Sequence, residues 1–193
     1  MKQLKIILAM IMILSLLLLT GCSSTKKTEQ SPADNQGIKI TDNNAANNGS
    51  DANQGKNIQK IIVYFPDENG EKLISSNKII DLAKSDKYTA AVQSLIDGPA
   101  AGQGIAIIPK NAKLLSVKVD NNKIASVDFN KNFRSNFSGG STGELMLIGS
   151  IVDTLTNFPE ITAVRFYVEG KPLDSLSGHM DLTMPIKRMK NVL

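Results

Sequence analysis

His179 is the only histidine in the chain and stands two residues before Asp181, in Ser177-Gly178-His179-Met180-Asp181. Any Ser-His-Asp triad or Cys-His pair would have to use this imidazole. No serine is positioned beside it as a nucleophile by any motif, so the favoured reading is a structural or interface histidine in a hydrogen-bonded turn. One Cys and one His in 193 residues exclude a disulfide framework and a Cys/His zinc site, since each needs several such ligands.

Two other features could carry chemistry. Ser138-Gly139-Gly140-Ser141-Thr142-Gly143 is a glycine-rich entry to a helix, and such loops can present N–H groups to a phosphate or carboxylate. It lacks the lysine of a phosphate-binding loop and the strand–GxGxxG–helix setting of a dinucleotide fold, and Glu144 puts a negative charge where the anion would sit. A structural turn is the stronger reading. The second feature is a carboxylate pair for glycan cleavage, drawn from Asp128, Glu144, Asp153, Glu169, Asp174 and Asp181. Asp128 ends a strand, Glu144 is expected to cap a helix and Asp153 to lie on that helix's polar side, so solvated or capping carboxylates are the default. No catalytic residue, metal site or cofactor is assigned.

Cys22 has a chemistry of its own. Lys2 and Lys5 precede an apolar stretch, Ile6 to Leu19, interrupted only by Ser15. Its 14 residues are fewer than the roughly 18 or more a membrane span needs, and they match the core of a secretory signal. The stretch ends in Leu19-Thr20-Gly21-Cys22, which resembles the lipobox of bacterial lipoproteins, whose cysteine becomes the lipidated N-terminus. The expectation is an exported protein anchored by lipid to the outer face of the cytoplasmic membrane, since two or more acyl chains hold far better than one. Removing the two signal lysines takes the formal net charge from +4 to +2, too little to argue for nucleic acid. Lys187-Arg188-Met189-Lys190 reads as a solvated basic tail.

These residues need a scaffold. Residues 1–21 are read as the signal, and 22–57 as the lipidated Cys followed by a polar linker whose four lysines balance four acids. That linker has too little apolar surface to offset the entropy of ordering, although Ile38-Lys39-Ile40 alternates like a short strand. Residues 58–193 are long enough for one hydrophobic core. Ile61-Ile62-Val63-Tyr64-Phe65 is a strand stopped by Pro66-Asp67-Glu68-Asn69-Gly70, and Leu73 to Ile80 is a second. Tyr88, Ala91, Val92, Leu95 and Ile96 form one helical stripe, capped by Ser85 or Asp86 and ended by Gly98-Pro99. Leu114–Val119 and Ile124–Phe129 flank Asp120-Asn121-Asn122-Lys123 as a hairpin. Ser141-Thr142-Gly143-Glu144 reads as a capping box, in which the serine hydroxyl takes the Glu144 N–H and the glutamate reaches back to the Ser141 N–H. Leu145, Ile148, Val152 and Leu155 continue that helix to Phe158-Pro159, and Val164–Val168 is the last clear strand. The order predicts a small α+β domain with two helices on one face of a β-sheet.

Several phrases resemble a known family. They are Val63-Tyr64-Phe65-Pro66-Asp67, Leu95-Ile96-Asp97-Gly98-Pro99, Ile108-Pro109-Lys110-Asn111-Ala112-Lys113-Leu114, Val127-Asp128-Phe129-Asn130, Asn136 through Leu145, Phe166-Tyr167-Val168-Glu169-Gly170 and Gly178-His179-Met180-Asp181-Leu182. Together they are similar to the GerMN domain, named for a spore germination and sporulation lipoprotein. The resemblance implies a fold similar to ring-building motifs and a non-catalytic role as an assembly module in envelope complexes of sporulating or germinating cells. It supplies no catalytic residues.

The expected function is that of a membrane-anchored assembly or adaptor lipoprotein whose partner is an envelope protein or another copy of the chain. The candidate interaction surface is an edge strand together with Gly139, Gly140, Ser141, Thr142, Glu144, Gly178, His179 and Asp181. The alternative is a lipoprotein that binds or remodels peptidoglycan. A solute-binding lipoprotein fits less well, because two lobes around a cleft need more residues than 58–193 provide.

Overall fold

The computed structural model describes residues 57–192. The signal segment, Cys22 and Ile38-Lys39-Ile40 lie outside the described residues. Among the described residues no helix is long and apolar enough to cross a membrane.

The chain enters as a hairpin. Strand β1 (Ile58–Pro66) pairs antiparallel with β2 (Leu73–Asp81), Ile58 opposite Asp81 and Pro66 opposite Leu73. Alternation sends Ile61, Val63 and Phe65 inward, where all three are buried. Asp67 shapes the turn, its Oδ1 accepting from the Glu71 N–H at 2.9 Å. Helix α1 (Lys87–Asp97) follows, and Asp86 is its cap, accepting from the N–H groups of Tyr88 and Thr89 at 3.0 Å each. It buries Ala91, Val92 and Leu95 and ends at Gly98, as the stripe and caps predict.

The loop after α1 lies against the end of β1. Gly104, at φ +104°, is fixed there by proximity: a Cβ would stand 2.5 Å from the Pro66 carbonyl oxygen, while the next N–H, of Ile105, donates to that oxygen at 3.0 Å.

The second sheet is built on the hairpin of β3 (Leu114–Val119) and β4 (Ile124–Phe129). Asp120 Oδ1 accepts from the N–H groups of Asn122 and Ile124 at 2.9 Å each, and this fixes the turn. A short helix α2 (Asn132–Ser135) and the long helix α3 (Ser141–Leu155) cross over to β5 (Ala163–Val168), which runs parallel to β4. Two short strands, β6 (Lys171–Pro172) and β7 (Ile186–Lys187), pair antiparallel with β5 near its two ends.

Helix α3 packs on β1, α1 and β5. Every residue from Met146 to Leu155 is buried, so this helix has no polar face. Each large apolar side chain among them contributes about 1.5–3 kcal/mol by leaving water. The α+β class with two main helices stands, but the strands form two sheets where one was expected. The reason is local. The outward N–H of Tyr64 on β1 donates to Thr154 Oγ1 of α3 at 3.0 Å, and the Pro66 carbonyl is taken by Ile105, so β1 is tied to a helix and a loop there and not to a third strand.

Candidate functional site

Glu144 occupies the first turn of α3, and its side chain is completely buried. Its carboxylate faces the loop Ser175–His179, which Leu173 and Leu176 anchor by being buried on either side of Ser175. Oε1 accepts from the N–H groups of Leu176 at 3.1 Å and Ser177 at 3.2 Å, and from Ser175 Oγ at 3.3 Å. Oε2 accepts from Ser177 Oγ at 2.7 Å, the His179 N–H at 3.0 Å and His179 Nδ1 at 3.1 Å. Successive N–H groups pointing at one anion form a nest, and here the chain fills its own nest. Gly178, at φ +93°, makes the reversal possible, and its N–H donates to Ser175 Oγ at 2.6 Å. The Leu182 N–H closes the loop on the Asp174 carbonyl at 2.9 Å.

Burial pushes the Glu144 carboxyl up, but bonds from the Ser177 hydroxyl, the His179 and Ser177 N–H groups and the His179 ring outweigh it and hold the pKa at about 2. The hydrogens also fix the imidazole. Ser177 Oγ gives its proton to Glu144, so at the 3.0 Å contact with His179 Nδ1 it accepts. Nδ1 therefore carries a proton shared between Glu144 and Ser177, and Nε2 is the ring's other nitrogen, on a side chain that is 44% exposed. Ser177 is bound to the wrong ring nitrogen and to the wrong acid for a nucleophilic triad, in which the base faces the serine with one nitrogen and the carboxylate with the other.

The capping box is overturned by this geometry. Gly140 is the N-cap, no side chain caps the helix, and Ser141 is the first helical residue. Glu144 therefore sits one position too far along to reach back, and its carboxylate turns inward. Asp181 is likewise no partner of His179: its Oδ1 accepts from the Thr183 N–H at 2.9 Å and Thr183 Oγ1 at 2.6 Å, and these bonds lower its pKa. Of the expected surface, Glu144, Gly178 and His179 come together. Gly139, Gly140, Ser141 and Thr142 are exposed at the start of α3, and a Cβ on Gly140 would meet open space.

A second carboxylate on α3 also departs from its expected place. Asp153 is fully buried, not on a polar side. Its Oδ1 accepts from the Met189 N–H at 2.9 Å, and Oδ2 has no partner among the described residues. Burial pushes its pKa up, against the Met189 bond and the nearby Arg188 charge. The basic segment is not a solvated tail either. Arg188 Nη2 donates to the Tyr64 hydroxyl at 2.6 Å, with the guanidinium 5.1 Å over the Tyr64 ring, and β7 includes Lys187. Among the described residues no three His, Cys, Asp or Glu side chains converge to hold a metal ion.

The model of the family Germane, described as "Sporulation and spore germination", matches residues 62–174. The chain belongs to this family. Glu144 lies within the Germane match and Ser175–His179 just beyond it. Spore germination protein GerM of Bacillus subtilis (strain 168) is 29% identical over 139 residues, covering 68% of this chain and 37% of GerM. The chain thus matches little more than a third of that relative's length. The solved tandem GerMN domains of the Bacillus subtilis sporulation protein GerM superpose with a TM-score of 0.58 at 26% identity, over 75% of this chain and 50% of that one. The first GerMN domain of the same protein matches with a TM-score of 0.54 at 19% identity, over 67% of this chain and 98% of that domain, a likeness of fold alone.

Proposed function

We propose that this Germane-family chain is a membrane-anchored, non-catalytic envelope lipoprotein whose domain serves as an assembly or adaptor module in sporulation or spore germination. The anchor is Cys22, on the outer face of a bacterial cytoplasmic membrane. The observation that carries the non-catalytic reading is the state of Glu144. It is the best-positioned acid next to the chain's one histidine, and both its oxygens are consumed by N–H and O–H donors of its own loop. A buried carboxylate held at about pKa 2 neither gives nor takes a proton near neutral pH and does not face a substrate. The kinship with GerM supports the sporulation or germination setting.

The test is in-cell cross-linking of the full chain during sporulation, with Cys22→Ala as the anchor control. Capture of a discrete envelope protein or of a second copy, lost when Cys22→Ala releases the chain from the membrane, is the expected result. Co-sedimentation with purified sacculi and release of soluble muropeptides, with no protein captured, would replace this reading with the peptidoglycan one.

A further inference from the structure

The hairpin β1–β2 has one edge for which the described residues give no partner. Tyr64 turns its N–H away from β2, to Thr154, which sets the phase of the ladder. Residues opposite one another in an antiparallel pair point their backbone groups alike, and the direction alternates along the strand. Tyr64 is opposite Ser75, so Ser75, Asn77 and Ile79 present N–H and C=O groups outward along β2. Among the described residues β2 pairs only with β1.

Natural strand edges are protected by outward lysines, prolines, bulges or inward-pointing charges. Of these β2 has only the last, Lys78, and its ammonium is already held within its own domain. The register of β2 with β1 is unbroken over all 9 residues, and its one lysine is turned inward, Lys78 Nζ donating to the Gly98 carbonyl at 2.9 Å. Beside the edge Ile79 is 76% exposed, and the same face of β1 carries exposed Ile58 and Ile62 with Lys60 between them, opposite Ile79.

We propose that the β2 edge is a self-recognition surface, on which two copies of the chain pair β2 with β2, antiparallel about Asn77, into a four-stranded sheet. The sequence of β2 is self-complementary in that register. Ile74 stands opposite Ile80 of the second copy, Ser76 opposite Lys78, Ser75 opposite Ile79, and the two Asn77 amides face each other. Moving the axis to Lys78 sets lysine against lysine, and like charges directly opposite destabilise a pair. Moving it to Ser76 sets Lys78 against Ile74. The pairing deepens the assembly reading and rests on it.

The experiment uses the full chain in membranes, with Asn77→Cys and a short bis-maleimide. The expected product is a covalent dimer of twice the chain mass, with roughly tenfold more of it than from Glu68→Cys at the exposed turn or from the chain with Cys22 alone. Adding Ile79→Pro, which removes an outward N–H and spares the bonds to β1, abolishes that dimer, while a cooperative melt shows the domain folded. Ser75→Pro repeats the test if Ile79→Pro does not melt cooperatively. A dimer yield equal to that of Glu68→Cys, a dimer that survives the proline, or an adduct of another mass overturns the self-pairing. The assembly reading itself falls only if no protein is captured by any cross-linker.

Discussion

Helix α3 carries two fully buried carboxylates whose pKa values are shifted in opposite directions. Glu144 receives six donor contacts and is held at about pKa 2. Asp153 receives one, from Met189, and its pKa is raised. Both have left water, so burial alone does not set the state of either. The number of N–H and O–H groups aimed at each does. Glu144 is a joint between distant segments, and Asp153 is a charge the fold tolerates for the bond it makes to the C-terminal segment.

The largest expected effect breaks the joint. Glu144→Ala leaves the N–H groups of Leu176, Ser177 and His179 without their acceptor, and should cost about 3–5 kcal/mol in urea unfolding. Protection of the 175–179 amides from hydrogen exchange should fall with it. A loss below ~1 kcal/mol would mean that the contacts are incidental.

Acid should separate the two sites next. The Glu144 pKa is lowered on folding, so its contribution is present above the unfolded value near 4.5 and is lost as pH falls toward about 2. Asp153 has the opposite sign: its raised folded pKa makes stability fall as pH rises through the unfolded value near 3.8. Glu144→Gln should flatten the acid limb of a melting-temperature-against-pH curve, and Asp153→Asn should steepen it.

Smaller still is the neutral-pH effect of Asp153→Asn. The amide oxygen keeps the Met189 bond while the buried charge disappears, so stability should hold or rise by about 1 kcal/mol. A loss of ~2 kcal/mol or more would show that the attraction to Arg188 governs this site. The smallest effect is that of His179→Ala. Its ring is 44% exposed and adds one contact to an acid with five others, so the cost should stay below about 1 kcal/mol in the same unfolding assay.

The contrast also explains which parts of the molecule were legible in the sequence. Helix α1 was, because its stripe from Tyr88 to Ile96, the Asp86 cap and Gly98 are all local signals. The β3–β4 hairpin followed from its turn chemistry for the same reason. Ser141-Thr142-Gly143-Glu144 misled because a capping box is also a local pattern, while the partners of Glu144 lie at least 31 residues away. The alternation Ser175, Ser177 with Gly178 between Ser177 and His179 was the available signal of a donor-rich loop. Asp153 and Arg188 were misplaced because periodicity assigns a polar face to a helix that has none, and because a run of basic residues hides the packing of Met189 and the Tyr64 contact of Arg188.

A disulfide is one way to fasten distant loops, and a chain with a single cysteine cannot form one within itself. The clasp between Glu144 and Ser175–His179 does that work without sulfur. Thiols, oxidants and disulfide isomerases have nothing to act on there, and the fastening forms in the time the loop takes to fold. What releases it is protons at strong acidity, so the domain should keep its shape in reducing and oxidising surroundings alike.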